Sequence, residues 1–62
     1  MKQHAYILGR LIETRAHRHV LERYMEMVQE RRDLHGVMDA SADLRETDAR
    51  IQTLLWVLEM KE

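Results

Sequence analysis

Residues 37–58, VMDASADLRETDARIQTLLWVL, place Val37, Ala40, Leu44, Thr47, Ile51, Leu54 and Leu58 at alternating steps of three and four. That spacing is a heptad seam, and a helix built on it carries one narrow stripe that must lie along a second helix. The other long periodic stretch is the one before Gly36. The spacing therefore predicts an all-α helical hairpin, a single domain over residues 1–62.

Working upstream, Pro is absent and only Gly9 and Gly36 could punctuate the chain, so the first helix is expected from about residue 3 to residue 35. Gly36 suits the left-handed position that follows a helix C-terminus. Arg31, Arg32 and His35 would set basic side chains where the last carbonyls concentrate negative potential. With the turn at Gly36, Asp39, Ser41 and Asp43 are candidate N-caps for a second helix over about residues 41–60, and Asp43 with Glu46 has the spacing of a capping box.

Projected at 100° per residue, the apolar face of helix 1 changes sides. Ala5, Ile7, Leu8, Leu11 and Ile12 share one arc; Ala16, Val20, Leu21, Tyr24, Met25, Met27, Val28 and Leu34 share another, centred roughly 170° away. A second helix of about 20 residues spans about 30 Å and, folded back, reaches only to about residue 15. The expected intrachain seam is therefore Val20, Tyr24 and Met27 of helix 1 against Leu44, Ile51, Leu54 and Leu58 of helix 2. Residues 3–14 would overhang, leaving Ile7, Leu8, Leu11 and Ile12 to meet another surface. Leu55, Trp56, Val57 and Met60 wrap apolar surface around the far end of helix 2 and make the same demand. These eight residues are the expected interface of a homodimer, two hairpins forming an antiparallel four-helix bundle. The competing arrangement is a kink near Gly9 or Thr14 that folds the first turns back as a third short helix; a strand-like run at Tyr6–Leu8 has no partner strand.

Size argues for the same association. A chain of 62 residues without a single Cys has neither disulfides nor thiolate metal sites to support a small core, and a partner subunit is the usual remedy. The short apolar run from Ala5 to Leu8, interrupted by Gly9 and Arg10, resembles neither a signal peptide nor a membrane span, so a cytoplasmic protein with no membrane partner is expected. The net charge of −1 gives no global pull toward nucleic acid, although residues 1–36 carry seven Lys and Arg against five Asp and Glu, and residues 37–62 three against six.

The chemistry-bearing residues do not converge. His17 and His19 point about 160° apart on a helix and cannot chelate together, and His4 and His35 lie near opposite ends of helix 1, so no metal site is expected. Glu22, Glu26 and Glu30 follow i, i+4 spacing among Arg15, Arg18 and Arg23, the composition of a solvated face. Neither a Ser-His-Asp arrangement, a phosphate-cradling Gly loop nor a cofactor fingerprint occurs, so neither catalysis nor a cofactor is expected. Arg10, Arg15, Arg18 and Arg23 would carry a nucleic-acid contact, RNA or DNA, but they spread around the helix with Glu13 and Glu22 between them. Trp56 projects roughly opposite the Leu44, Ile51 and Leu58 stripe and is either dimer core or an anchor for another protein. The expected function is a non-enzymatic regulatory or interaction module that binds protein, with nucleic-acid binding as the alternative.

Overall fold

The computed structural model describes the backbone of residues 2–60 and the side chains of residues 3–59. Two helices, α1 (Lys2–Glu30) and α2 (Leu34–Met60), form an antiparallel hairpin. Their 29 and 27 residues correspond to about 43 and 40 Å at 1.5 Å per residue, matching the 46 Å long axis of the molecule. The helices are therefore nearly equal in length. The overhang expected for residues 3–14 does not occur, and α1 runs unbroken through Gly9, Thr14 and the Tyr6–Leu8 run.

The turn accounts for the difference. Helix 1 was expected to reach residue 35, but α1 ends at Glu30, and Arg31–Asp33 connect the helices. Arg32 takes the left-handed conformation, φ 56°, that a glycine usually fills. Its N–H bonds the Gln29 carbonyl at 3.1 Å while the Asp33 N–H bonds the Val28 carbonyl at 2.9 Å, the paired closure that ends a helix sharply. Asp33 then opens α2 at once: its carboxylate accepts from the Gly36 N–H at 3.0 Å, and its carbonyl accepts from Val37 at 2.9 Å. An N-cap at residue 33 makes caps at Asp39, Ser41 or Asp43 unnecessary, and α2 begins seven residues before the expected residue 41. Gly36 belongs to the first turn of α2, where it is buried against Val28.

The seven heptad positions of α2 face inward. Ala40, Thr47 and Ile51 are buried; Val37, Leu44, Leu54 and Leu58 are half-buried. The Thr47 hydroxyl donates to the Asp43 carbonyl one turn back at 2.7 Å, which satisfies it inside the seam. On α1 the inward set is Ile7, Leu11, Thr14, Arg18, Leu21, Met25 and Val28, again at steps of four and three. Every other described α1 side chain except that of Glu22 is exposed, apart from the half-buried Gly9. Val20, Tyr24 and Met27, expected in the seam, are exposed, Val20 at 62%. A 3.5-residue repeat keeps one stripe aimed at the partner where a straight 3.6-residue projection drifts away from it.

Val28 against Gly36 and Arg18 against Asp48 fix the register. Carried along both helices from those two points, the heptads fall in step: Val28 comes level with Val37, Leu21 with Leu44, Arg18 with Thr47, Leu11 with Leu54 and Ile7 with Leu58. The buried apolar side chains, Leu11, Leu21, Val28, Ala40 and Ile51, are spread along the whole seam. The larger ones each contribute on the order of 2 kcal/mol by leaving water.

Candidate interaction surface

A hairpin has two flanks, one on each side of the seam. On the first, an open groove of about 320 Å³ runs between the helices, edged by Arg10 and Thr14 of α1 and by Glu46, Arg50 and Thr53 of α2. It continues past Glu13 and His17. Its polar groups are paired within their own helices: Arg10 with Glu13 at 3.6 Å, Arg50 with Glu46 at 3.0 Å, and the Thr14 and Thr53 hydroxyls with the carbonyls of Arg10 and Ala49 at 2.6 and 2.9 Å. The groove is open to solvent along its length.

The second flank carries the one ion pair that crosses between the helices among the described residues. Arg18 Nε donates to Asp48 at 2.5 Å, and its guanidinium reaches Glu22 at 3.1 Å, with the His19 ring 3.3 Å from the same Glu22 carboxylate. The Asp48 hydrogen bond and charge, reinforced by Glu22, raise the Arg18 pKa above its ordinary value. A half-exposed pair of this kind adds little stability. Its effect is on alignment, because Arg18 occupies a seam position where a polar side chain specifies register.

The residues expected at a dimer contact divide among different surfaces. Leu11 is 7% exposed and Ile7 half-buried, both inside the hairpin seam, because α2 is long enough to cover them. Leu8 and Ile12 are exposed on the second flank, with half-buried Leu55 on the same side. Val57 belongs to the first flank, seven residues beyond Arg50. Trp56 stands on the outer side of α2, 60% exposed, and the Met60 side chain lies outside the described residues. Of the four expected nucleic-acid contacts, Arg10 lines the groove, Arg18 is tied to Asp48, and Arg15 and Arg23 are exposed elsewhere on α1, so the structure does not bring them together.

Reasoning from sequence missed the apolar part of the first flank. Heptad repetition carries its edges along the rod, from His17 to Tyr24 and from Glu13 to Tyr6 on one side and Val20 and Met27 on the other, and all four of these large side chains are exposed. The available signal was the 3.5-residue repeat of α1, which assigns them outside the seam. Among the described residues, no group of three His, Cys, Asp or Glu side chains is placed to hold a metal ion. No described helix is long and apolar enough to cross a membrane. Comparison of the chain with family models, curated proteins and solved structures finds no match.

Proposed function

We propose that this protein is a non-enzymatic interaction module that works as a homodimer, two hairpins packing into an antiparallel four-helix bundle, and presents an outer surface to a protein partner. The supporting observation is its surface. The hairpin exposes 5342 Å², whereas a folded monomer of 7.5 kDa exposes about 4,200 Å². The excess, roughly 1,100 Å², is comparable to the ~800 Å² that each partner covers in an ordinary stable interface. It includes Tyr6, Leu8, Ile12, Val20, Tyr24, Met27, Leu34, Met38 and Trp56, large apolar side chains that outnumber the buried apolar core.

The heptads also speak for paired hairpins over paired rods. Continued past Val28, the α1 seam would pass through residues 32, 35, 39 and 42, whereas α2 uses 37, 40, 44 and 47. The phase differs by two residues, a rotation of about 200° in a continuous helix, so a straightened chain would set its two seams on nearly opposite faces. Trp56, on the outer side of α2, remains available in a bundle and is the proposed anchor for a protein partner.

Light scattering tests the association: the expected mass is about 15 kDa, twice that of the 7.5 kDa chain, with a melting temperature that rises with protein concentration. A fully helical monomer up to high micromolar concentration overturns the proposal. The nucleic-acid alternative makes a separate demand, since binding through several phosphates weakens steeply with salt while a protein contact survives moderate salt.

A further inference from the structure

We infer that a two-residue phase gap between the seams of α1 and α2, and not the turn alone, commits this chain to the hairpin, because it denies a straightened chain any closed pairing with a second copy. This holds whether or not two hairpins pair, and so goes beyond the dimer proposed above.

The turn by itself is a weak guard. It is three residues long, Arg31–Asp33, and Arg32 holds φ 56° without being a glycine. A short hinge under such strain invites domain swapping, in which the turn becomes helical and each α1 takes the α2 of another copy. Residues 31–33 contain neither Gly nor Pro, so their covalent structure does not stop a helix from running through them.

The seams supply what the turn lacks. In one continuous helix the α1 stripe that ends at Val28 would pass, once inside α2, through Asp39, Ala42, Glu46, Ala49, Thr53 and Trp56, all of them exposed in the hairpin. The α2 seam itself, from Val37 to Leu58, lies two residues out of step, about 200° round the helix. Followed backwards, it would enter α1 through Glu30, Glu26, Arg23 and His19, again all exposed. Two straightened chains laid antiparallel therefore share a proper seam along only one half. Along the other half Asp39 of one chain comes level with Glu26 of its neighbour, and a buried, unpaired carboxylate is costly. The seam halves left over point outward on opposite faces, so each recruits a further chain and the association does not close.

Removing Glu30–Leu34 closes the gap. Val37 then follows Val28 at a step of four and Ala40 follows at a step of three, so the heptad runs unbroken from Ile7 to Leu58. Two such chains, antiparallel, keep every level pairing of the hairpin, α1 against the partner's α2 and the reverse.

Light scattering and small-angle X-ray scattering on the whole chain and its variants test this. The parent should keep a long axis near 46 Å. The chain lacking Glu30–Leu34 should form a discrete dimer of two straight helices, about 80 Å long at ~1.5 Å per residue, with its mass held at two chains over about a tenfold range of concentration. Removing only Arg31–Asp33 also abolishes the turn but leaves the seams two residues out of step. That chain should form no closed dimer, its mass climbing with concentration. Inserting Ala-Ala after Arg32 closes the same gap without removing a residue and should also lengthen the molecule. Four Ala in that place overshoot by two and should leave the long axis near 46 Å. The phase gap is not what holds the hairpin if neither in-phase chain lengthens, or if either out-of-phase chain forms the same long, closed dimer. The mass of the parent, one chain or two, tests the paired hairpins and leaves this outcome untouched.

Discussion

The two glycines sit in the middle of helical backbone, yet replacing each with alanine should have opposite effects. Alanine is favoured over glycine within a helix by about 1 kcal/mol. At Gly9, apart from the neighbouring backbone of its own helix, no atom lies within 4 Å of where the new methyl would sit, so Gly9→Ala should stabilise the protein by about 0.5–1 kcal/mol. At Gly36 the methyl would lie 2.7 Å from Val28 Cγ1 and 2.8 Å from Asp33 Oδ2. Carbon atoms normally approach to about 3.5–4.0 Å, so either the helices separate or Val28 turns. Val28 is 2% exposed and β-branched, and a β-branched side chain on a helix has one strongly preferred rotamer. Overpacking of this kind costs about 1–3 kcal/mol, and disturbing the Asp33 cap adds up to about 1 kcal/mol. After subtracting the propensity gain, Gly36→Ala should destabilise by about 1–2 kcal/mol. Thermal melts followed by circular dichroism at one fixed concentration should show a fall of about 5–15 °C for Gly36→Ala and a rise of a few degrees for Gly9→Ala. A double-mutant cycle with Val28→Ala, built on the stabilised Gly9→Ala chain, should recover most of the Gly36→Ala loss, a coupling of about 1 kcal/mol or more. If Gly36→Ala raises the melting temperature as Gly9→Ala does, or its cost is the same with and without Val28, the first turn of α2 does not pack on Val28 and the turn geometry is wrong.

Arg32→Gly should stabilise by about 0.5–1 kcal/mol, because Arg32 holds the left-handed conformation that glycine adopts without steric cost; denaturant midpoints read it, and a loss of about 1 kcal/mol would instead put residue 32 inside a helix. Leu11→Ala should cost about 2–5 kcal/mol, while Val20→Ala, on the outer side of the same helix, should change the stability of the hairpin itself by under ~0.5 kcal/mol. Urea unfolding at low protein concentration makes that comparison, and equal effects would mean that the α1 stripe is misassigned.

The seam of α2 was legible because its stripe is small or apolar at six of seven places and its one polar member, Thr47, bonds to its own helix. The same repeat on α1 was obscured. Thr14 and Arg18 occupy inward positions there, while Tyr6, Ile12, Val20, Tyr24 and Met27 supply apolar character outside them, so a hydropathy projection follows the wrong side chains. The turn was misplaced because Gly36 has the residue type of a helix stop, whereas its small size serves close packing, and an arginine takes the stop conformation two residues after Glu30. One clue was present: a heptad that begins at Val37 requires α2 to be helical there, earlier than residue 41. The misplaced turn shortened helix 2, and the shortening created the overhang that assigned Leu11 to a dimer contact. The apolar part of the first flank became visible only once Val20, Tyr24 and Met27 were known to lie outside the seam.

The tightest packing lies at the closed end, where Val28, Gly36 and Ala40 are all buried a few residues from the turn. Contacts that close short loops cost the least chain entropy, so the best-packed layer is also the one the chain can form first. Assembly of the hairpin then resembles a zipper that starts at Asp33 and runs outward, each heptad layer bringing the next within reach. Opening takes the reverse path, beginning where the helices are farthest from their link. The layer at the open end, at the level of Ile7 and Leu58, is the first to separate, well before Val28 leaves Gly36.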